Sequence, residues 1–196
     1  MTYNPRDHYF KKAKQENFAA RSVFKLEEID KKFRLFKPGQ KVLDLGASPG
    51  SWSQYSSKMV GETGHVLGVD LSPVTVKLKN AVFIQADLRD LNLEEIFKEH
   101  GFEPPFDLVL SDMAPKTTGI RMTDQARSME LCELALDVAR RFLKKDGHFV
   151  CKLFHSDDFA KLRNEIKNSF QKFEAVKPDS TRKISKEIFL VGICKK

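Results

Sequence analysis

The sequence predicts an α/β fold, a doubly wound and mostly parallel sheet with an antiparallel terminal hairpin and a basic N-terminal helix. Three observations predict it: apolar runs alternate with segments of helical period from residue 41, the last two apolar runs lie nine residues apart, and positive charge is concentrated at both ends of the chain. A length of 196 residues suits one domain. We expect a single domain over residues 1–196, in which a basic extension (1–40) packs on a core (41–196).

Five short apolar runs are typical of buried parallel strands. They are KVLDLG (41–46), HVLGVD (65–70), AVFIQAD (81–87), FDLVLSD (106–112) and GHFVCKLF (147–154). Helical candidates lie at about 51–60, 91–99, 123–143 and 156–170. In the last of them, Ser156 is the expected N-cap and the acidic pair Asp157–Asp158 is expected in the first turn. This alternation predicts a parallel sheet with helices on both faces.

Both ends of the chain depart from the alternation. EAVK (174–177) and EIFLVGIC (187–194) are strand-like, and the loop between them is too short for a helical crossover, so we expect an antiparallel hairpin. Before the first strand, residues 17–33 have an amphipathic pattern that predicts a helix. Its expected core contacts are Phe24, Leu26 and Ile29.

Composition indicates a globular protein of a reducing cytosol. Apolar residues make up 41%, and three cysteines occur without a C-x-x-C pair, so neither a disulfide framework nor a zinc cluster is expected. The five histidines show no metal-ligand spacing. No run approaches the roughly 18 apolar residues of a membrane span, and residues 1–10 lack the apolar stretch of a signal peptide. We therefore expect a cytoplasmic protein without a membrane or metal partner.

The positive charge belongs to the two ends of the chain. Residues 1–41 hold eleven Lys or Arg and five Asp or Glu, a net of +6, and residues 176–196 hold six and two, a net of +4. The 134 residues between them carry a net of −3. Such charge favours a polyanion such as nucleic acid, whose phosphates release counterions when neutralised. The alternative is that the terminal basic residues only maintain solubility.

The first predicted strand leads into a glycine-containing turn, Asp44-Leu-Gly46-Ala-Ser-Pro-Gly50, followed by a helix that contains Trp52. Ligands of open α/β sheets bind beyond the carboxyl ends of the strands, and Gly46 and Gly50 allow a backbone to approach a ligand closely. The spacing matches neither the dinucleotide fingerprint G-x-G-x-x-G nor a P-loop. The alternative is an ordinary strand–helix turn.

Two further carboxylates end the next two strands. Asp70 is placed to accept hydrogen bonds from a ribose diol, and Asp87 is placed to meet an adenine amine. Either acid alone could be a helix cap. Together with the glycine turn they indicate a nucleoside ligand without a phosphate cradle, and S-adenosylmethionine is the commonest cofactor of that kind.

Longer motifs extend this pattern over nearly the whole chain. They are ARSVFKLEEID (20–30), VLDLGASPGSWSQ (42–54), LSDMAPKTTG (110–119), GHFVCKLF (147–154) and KPDSTRKISKEIFLVG (177–192). With them the sequence resembles the FtsJ-like ribose 2′-O-methyltransferases, most closely the bacterial members that act on large-subunit ribosomal RNA. The resemblance implies the Rossmann-like fold of the class I S-adenosylmethionine-dependent methyltransferases.

The resemblance also assigns roles to individual residues. The family's catalytic Lys-Asp-Lys-Glu set falls on Lys25, Asp112, Lys152 and Glu187. Its cofactor positions fall on Gly50, Trp52, Asp70, Asp87 and Asp112, beside Gly46 of the same turn. Ser48 and Ser51 depart from the family's frequent alanine and glycine, and Ser51 could alter the backbone contact with the methionine part of the cofactor.

The predicted topology brings the catalytic set together. Asp112 and Lys152 end parallel strands, and Glu187 begins a strand that starts at the same edge of the sheet if it runs antiparallel. By the resemblance, Lys152 is the base that accepts a 2′-hydroxyl proton, which requires its neutral form; a nearby cation such as Lys25 favours that form and carboxylates oppose it. The alternative is that Lys152 orients the hydroxyl and takes its proton late. Taken singly, Lys25 could be an exposed lysine, Asp112 a loop cap and Glu187 a charge that blunts a sheet edge.

RNA has to reach this edge of the sheet. The residues predicted to contact it are Lys11, Lys12, Arg21, Arg34, Arg182 and Lys183. The implied function is metal-independent 2′-O-methylation of a ribose, expected in a uridine of 23S ribosomal RNA within the 50S subunit, by a monomer. Two alternatives stay open: a tRNA ribose 2′-O-methyltransferase, and a non-catalytic RNA-binding protein of ribosome assembly.

Overall fold

A computed structural model describes residues 8–89, 92–156, 159–182 and 184–196. Within these residues the strands are β1 (Lys41–Leu45), β2 (His65–Asp70), β3 (Ala81–Gln85), β4 (Phe106–Ser111), β5 (Leu143–Phe154), β6 (Phe170–Val176) and β7 (Glu187–Lys195). The helices are α1 (His8–Gln15), α2 (Val23–Phe33), α3 (Ser51–Val60), α4 (Leu93–Glu99), α5 (Arg121–Phe142) and α6 (Ala160–Ser169).

The strands form one sheet in the order β3-β2-β1-β4-β5-β7-β6. Strands β1 to β5 pair in parallel, and β7 is antiparallel to both of its neighbours, β5 and β6. The order reverses between β1 and β4, which is where ligands bind in sheets of this kind. The predicted doubly wound sheet with an antiparallel terminal hairpin is therefore confirmed.

Helices cover both faces of the sheet. On one face, α2 and α3 contribute to a buried apolar cluster that includes Phe24, Leu26, Ile29, Val42, Trp52, Val150 and Phe189. On the other face, α4, α5 and α6 contribute to a second cluster that includes Phe97, Phe106, Leu136, Phe149 and Ile166. Burial of each such side chain stabilises the fold by about 1.5–3 kcal/mol relative to exposure.

The prediction of one helix over residues 17–33 is wrong in its first part. Asn17 has a φ of +58°, and the N–H of Phe18 donates to the carbonyl oxygen of Ala13 at 2.9 Å, which closes α1. Asparagine tolerates the left-handed region better than most residues, so the chain turns here and α2 begins only at Val23. The sequence pattern missed α1 altogether.

Three other boundaries differ from the prediction by four residues. β5 begins at Leu143 rather than 147, β6 at Phe170 rather than 174, and α6 at Ala160 rather than 156. The sequence did not predict the first residues of strand β5, because Lys144 to Asp146 are polar and exposed and so lie outside the apolar run. The acidic pair at 157–158, expected in the first turn of α6, lies outside the described residues. None of the helices in the described part of the chain is long and apolar enough to cross a membrane.

A buried carboxylate connects α2 to both of its neighbours. Oδ1 of Asp30 accepts the backbone N–H groups of Leu35 and Phe36 at 2.8 and 3.2 Å, and its Oδ2 accepts the hydroxyl of Tyr55 at 2.8 Å. The hydrogen bonds to Leu35 and Phe36 fix the turn between α2 and β1, and the bond to Tyr55 fixes α2 on α3. Asp30 therefore sets how α2 lies on the sheet.

We expect Asp30→Ala to lower the free energy of unfolding by about 2–4 kcal/mol, because it leaves buried donors without an acceptor. Urea denaturation followed by circular dichroism measures this change. The matched control is Asp137→Ala, whose side chain is 60% exposed, and which should stay within about 0.5 kcal/mol of wild type. Equal stability of the two variants would contradict the structural role of Asp30.

Candidate active site

The carboxyl edge of the parallel strands gathers residues that lie far apart in the sequence. Asp112 follows β4, Lys152 lies near the end of β5, and Glu187 begins β7. Because β7 is antiparallel to β5, Glu187 pairs with Phe154 and Phe189 with Lys152. Directly paired residues project from the same face of a sheet. Phe189 belongs to the apolar cluster under α2 and α3, so Lys152 projects toward those helices.

The four predicted catalytic residues form two separate ion pairs, one between Lys152 and Asp112 and one between Lys25 and Glu187. Nζ of Lys152 donates to Oδ1 of Asp112 at 2.8 Å and to its carbonyl oxygen at 2.5 Å, and Nζ of Lys25 contacts the carboxylate of Glu187. The side chain of Lys152 is 8% exposed and that of Lys25 is 11% exposed. Since an ammonium has three N–H donors, the two bonds to Asp112 leave Lys152 one donor for a ligand. The catalytic roles of these residues stay a prediction.

Trp52 packs against Phe189, the residue whose ring also lies beside Lys25. Its ring lies 5.7 Å from that of Phe189, and Nζ of Lys25 lies 5.9 Å from the centroid of the same phenyl ring. Trp52 is buried and donates its indole N–H to the carbonyl oxygen of Ser22 at 2.9 Å. It therefore holds α3 against the segment that enters α2, and its contact with a cofactor stays a prediction.

The turn after β1 accepts only glycine at two positions. Gly46 and Gly50 have φ values of +78° and +114°, a region that side-chain-bearing residues rarely adopt. A Cβ on Gly46 would lie 2.7 Å from Cγ of Met113 and 2.8 Å from its backbone nitrogen, and a Cβ on Gly50 would overlap Val76. The turn therefore packs closely on the loop after β4, and α3 begins directly after it with its N-terminal N–H groups at the same edge.

A cavity lies beside this turn, at the ends of β1, β2 and β4. Its lining includes Gly46, Asp70, Asp87 and Met113. The carboxylate of Asp70 accepts the backbone N–H groups of Ser48 at 2.9 Å and of Ser72 at 2.7 Å. Asp70 thus fixes the loops after β1 and β2 relative to each other, and each oxygen keeps a lone pair for a ligand.

Asp87 is held at the far side of the same cavity. Its two carboxylate oxygens accept hydrogen bonds from Nε and Nη2 of Arg89 at 3.0 and 2.6 Å. The hydrogen bonds from the Arg89 side chain, followed by the bond from its backbone N–H, lower the pKa of Asp87 to about 2. Asp87 is therefore ionised at neutral pH and can act as an acceptor there.

Asp44 is a buried carboxyl group that the sequence analysis did not single out as a site residue. Its Oδ2 accepts the hydroxyl of Ser53 at 2.6 Å, and its Oδ1 has no hydrogen-bond partner among the described residues. Burial raises the pKa of Asp44 to about 7, with the charges of Asp112 and Asp70 adding to the effect. The signal was an acid inside the apolar strand KVLDL, where an unpaired charge is costly.

Two of the predicted RNA-contacting residues lie at the catalytic edge. Arg21 and Arg182 line one cleft with Lys25 and Glu187. Burial lowers the pKa of Arg21, and the positive charge of Arg182 adds to that effect. The guanidinium of Arg21 also donates to the carbonyl oxygen of Ser180.

The other predicted RNA-contacting residues are placed differently. Lys11 and Lys12 lie on α1, where Nζ of Lys12 is 4.4 Å from the centroid of the Phe24 ring. Arg34 caps the C-terminal end of α2, about 13 Å along the helix from Lys25. The structure does not bring Arg34 to the cleft, and Lys183 lies outside the described residues. Among the described residues, no group of three or more His, Cys, Asp or Glu side chains is placed to hold a metal ion.

Solved structures with the same architecture define the class of protein. A structure described as a ribosomal RNA methyltransferase from Plasmodium falciparum is 26% identical with a TM-score of 0.75, over 91% of this chain and 98% of its own. Fibrillarin from Aeropyrum pernix, solved with natively bound S-adenosyl-L-methionine, has a TM-score of 0.57 at 18% identity, over 80% of this chain and 67% of its own. The fold is that of the Rossmann-like methyltransferases, as expected.

Sequence similarity narrows this class to one family. A family model described as FtsJ-like methyltransferase matches residues 18–195, so the chain belongs to the FtsJ-like methyltransferases. A Bdellovibrio bacteriovorus protein named ribosomal RNA large subunit methyltransferase E is 89% identical over 196 residues, 100% of both chains. A Syntrophobacter fumaroxidans protein of the same name is 49% identical over 195 residues, 98% of both chains. The expected family and the expected methyltransferase activity are confirmed.

The raised pKa of Asp44 predicts a pH dependence of stability. In the unfolded chain this carboxyl ionises near pH 3.8, whereas in the folded protein it stays protonated to about pH 7. The folded state therefore binds more protons in this window, and the free energy of unfolding falls as pH rises through it. Asp44→Asn removes the titration, so between pH 5 and pH 8 it should gain roughly 2–3 kcal/mol over wild type.

Denaturant midpoints of the two proteins across this pH range measure the gain. Asp137→Asn is the control, because its side chain is 60% exposed. A difference between wild type and Asp44→Asn that does not change with pH would show that Asp44 is ionised throughout.

Proposed function

We propose that this protein transfers a methyl group from S-adenosylmethionine to a ribose 2′-hydroxyl of large-subunit ribosomal RNA, at a uridine within the 50S subunit. The observation that carries the proposal is the buried Lys152–Asp112 ion pair, which lies at the edge of the sheet where the glycine turn and its cavity open. The names of the two bacterial relatives support the ribosomal substrate. We also propose that residues 1–196 act as one domain, with the extension 1–40 packed on the core 41–196.

The cavity residues fit S-adenosylmethionine. Asp70 and Asp87 offer acceptors for a ribose diol and an adenine amine, and Gly46 lines the same cavity without a side chain. Near them, at the end of β1, Asp44 has a buried oxygen without a partner among the described residues. When bound, the cofactor supplies an electrophilic methyl group on a sulfonium, so the transfer needs positioning and no metal ion.

We assign to Lys152 and Asp112 the removal of the proton from the ribose 2′-hydroxyl, which is the nucleophile. Asp112 holds two donors of Lys152, and the remaining N–H orients the ribose 2′-oxygen. Lys152 would first pass one proton to the Asp112 carboxylate, and the lone pair exposed on its nitrogen would then accept the hydroxyl proton as the 2′-oxygen displaces the sulfonium sulfur at the methyl carbon. Stabilising the oxygen as it loses its proton is worth about 10²–10⁴-fold in rate. Lys25, paired with Glu187, offers further hydrogen bonds to the ribose at the RNA side of the cleft.

We expect Lys152→Ala to lower kcat at least about 100-fold, because the 2′-oxygen then lacks its donor and its route for the proton. The assay offers tritiated S-adenosylmethionine with 50S subunits, free ribosomal RNA or tRNA, each from an unmodified source. Nuclease digestion then identifies a labelled 2′-O-methyl nucleoside. Lys161→Ala, with a side chain 80% exposed on α6, is the matched control and should retain wild-type activity.

The pattern of labelling decides the substrate. Label on ribosomal RNA or on 50S subunits that Lys152→Ala loses supports the proposal, and label on tRNA instead would replace it with tRNA methylation. Full activity of Lys152→Ala would refute the role of Lys152 whatever the RNA.

Charge reversal of Arg182 and Lys183 to Glu should weaken RNA binding and leave the Kd for S-adenosylmethionine unchanged. Each lost phosphate contact removes the release of counterions. The negative slope of log K against log salt should therefore become less steep by about 2. Filter binding over a salt series measures this. The control reverses Lys161 and Lys167 on α6, which is the same charge change away from the cleft. Equal loss of RNA and cofactor binding would contradict the assignment.

A further inference from the structure

The C-terminal loop, described over residues 177–182 and 184–186, is bound by side chains at and near α2 as well as by contacts within its own hairpin. Glu28 accepts the backbone N–H of Asp179 at its Oε2, 2.6 Å away, and the N–H of Ser180 at its Oε1, 3.0 Å away. The guanidinium of Arg21 donates to the carbonyl oxygen of the same Ser180. Both backbone groups of Ser180 are therefore bonded to charged side chains at or near α2, and its side chain is buried.

These contacts share one side of α2 with a catalytic contact. Glu28 follows Lys25 by three residues, so both side chains project from the same face of the helix. Arg21 lies in the turn that enters α2, four residues before Lys25. Lys25 pairs with Glu187, directly after the loop, while Glu28 binds Asp179 and Ser180 at its beginning. One face of α2 therefore contacts the chain at both ends of the loop.

Within the loop, the ammonium of Lys177 donates to the carbonyl oxygen of Ser185 at 2.8 Å, and two backbone hydrogen bonds are local. The N–H of Thr181 donates to the carbonyl oxygen of Pro178, and that of Ser185 donates to Arg182, both at 2.9 Å. These are turn hydrogen bonds between neutral groups, whereas the two bonds to Glu28 involve a charged acceptor and are about twice as strong. Glu28 and Arg21 bind the beginning of the loop to α2 and its entry turn, and Glu28 does so through two hydrogen bonds.

We propose that Glu28 is a positioning residue, which docks the C-terminal loop on α2 before RNA arrives and so aligns Arg182 with the RNA and Glu187 with Lys25. The inference deepens the proposed function and rests on it for the part that concerns RNA. The docking itself concerns only this chain and can be measured without a substrate.

The docking is tested by trypsin digestion of the folded, RNA-free protein. Cleavage after Arg182, Lys183 and Lys186 releases peptides that begin at residues 183, 184 and 187, and mass spectrometry gives their rate of appearance. We expect Glu28→Ala to raise this rate at least about tenfold, since two charge-assisted bonds are lost, and Glu28→Gln to raise it less, since an amide retains one acceptor oxygen. Glu27→Gln is the matched control, because Glu27 pairs with Lys31 on the exposed side of the same helix.

Steady-state methylation then separates positioning from a general structural effect. A positioning role raises the KM for RNA and lowers kcat, with the KM for S-adenosylmethionine unchanged. Loss of structure alone lowers the amount of active enzyme and leaves both KM values unchanged. If Glu28→Ala does not fold, Glu28→Gln decides, because it changes one acceptor atom without changing size.

The outcomes distinguish this inference from the proposed function. Trypsin rates of both Glu28 variants equal to that of Glu27→Gln would overturn the docking. Faster cleavage with an unchanged KM for RNA would overturn the positioning role. Faster cleavage together with a wild-type protein that labels none of the RNAs would uphold the docking and refute the proposed function.

Discussion

The antiparallel pairing of β7 with β5 is the constraint on which the site depends. If β7 ran parallel to β5, Glu187 would lie at the opposite edge of the sheet, about 25 Å from the ends of the other strands. The reversal instead places Glu187 opposite Phe154, two pairs away from Lys152. It also places Phe189 against Trp52 of α3 and beside Lys25 of α2. The strand that carries Glu187 to the cleft therefore also packs on the two helices above it.

Charged side chains that share a nearly buried edge have to be paired, and here each pair joins two elements. Lys152 of β5 binds the loop after β4, and Lys25 of α2 binds the start of β7. Removing one member of such a pair leaves an uncompensated charge, which costs far more than the pair itself contributes. The geometry of the cleft is thus maintained by electrostatics across the sheet, and Asp44 is the exception, since its raised pKa of about 7 allows protonation to reduce this cost.

Much of this could be predicted from the sequence, for physical reasons that differ between elements. Buried strands such as FDLVLSD are visible because both of their faces are apolar, and the hairpin follows from a loop too short for a crossover. The first residues of strand β5 could not be predicted, because Lys144 to Asp146 are exposed and polar. The break at Asn17 depends on one left-handed residue, which no periodicity reveals. In the site, the motifs predicted which residues converge, but not that Glu28 binds Asp179 and Ser180, which lie 151 and 152 residues further along the chain and meet it only in the tertiary structure.

The place of β7 in the sheet also determines when the enzyme can form during synthesis. β6 precedes β7 in the chain, yet its only neighbour among the described strands is β7, so it has no strand to pair with until β7 leaves the ribosome. Lys25, Asp112 and Lys152 emerge earlier, but the partner of Lys25 is Glu187 in that last strand. During synthesis the cleft is therefore incomplete until β7 has left the ribosome, because its fourth charged residue arrives only with that strand.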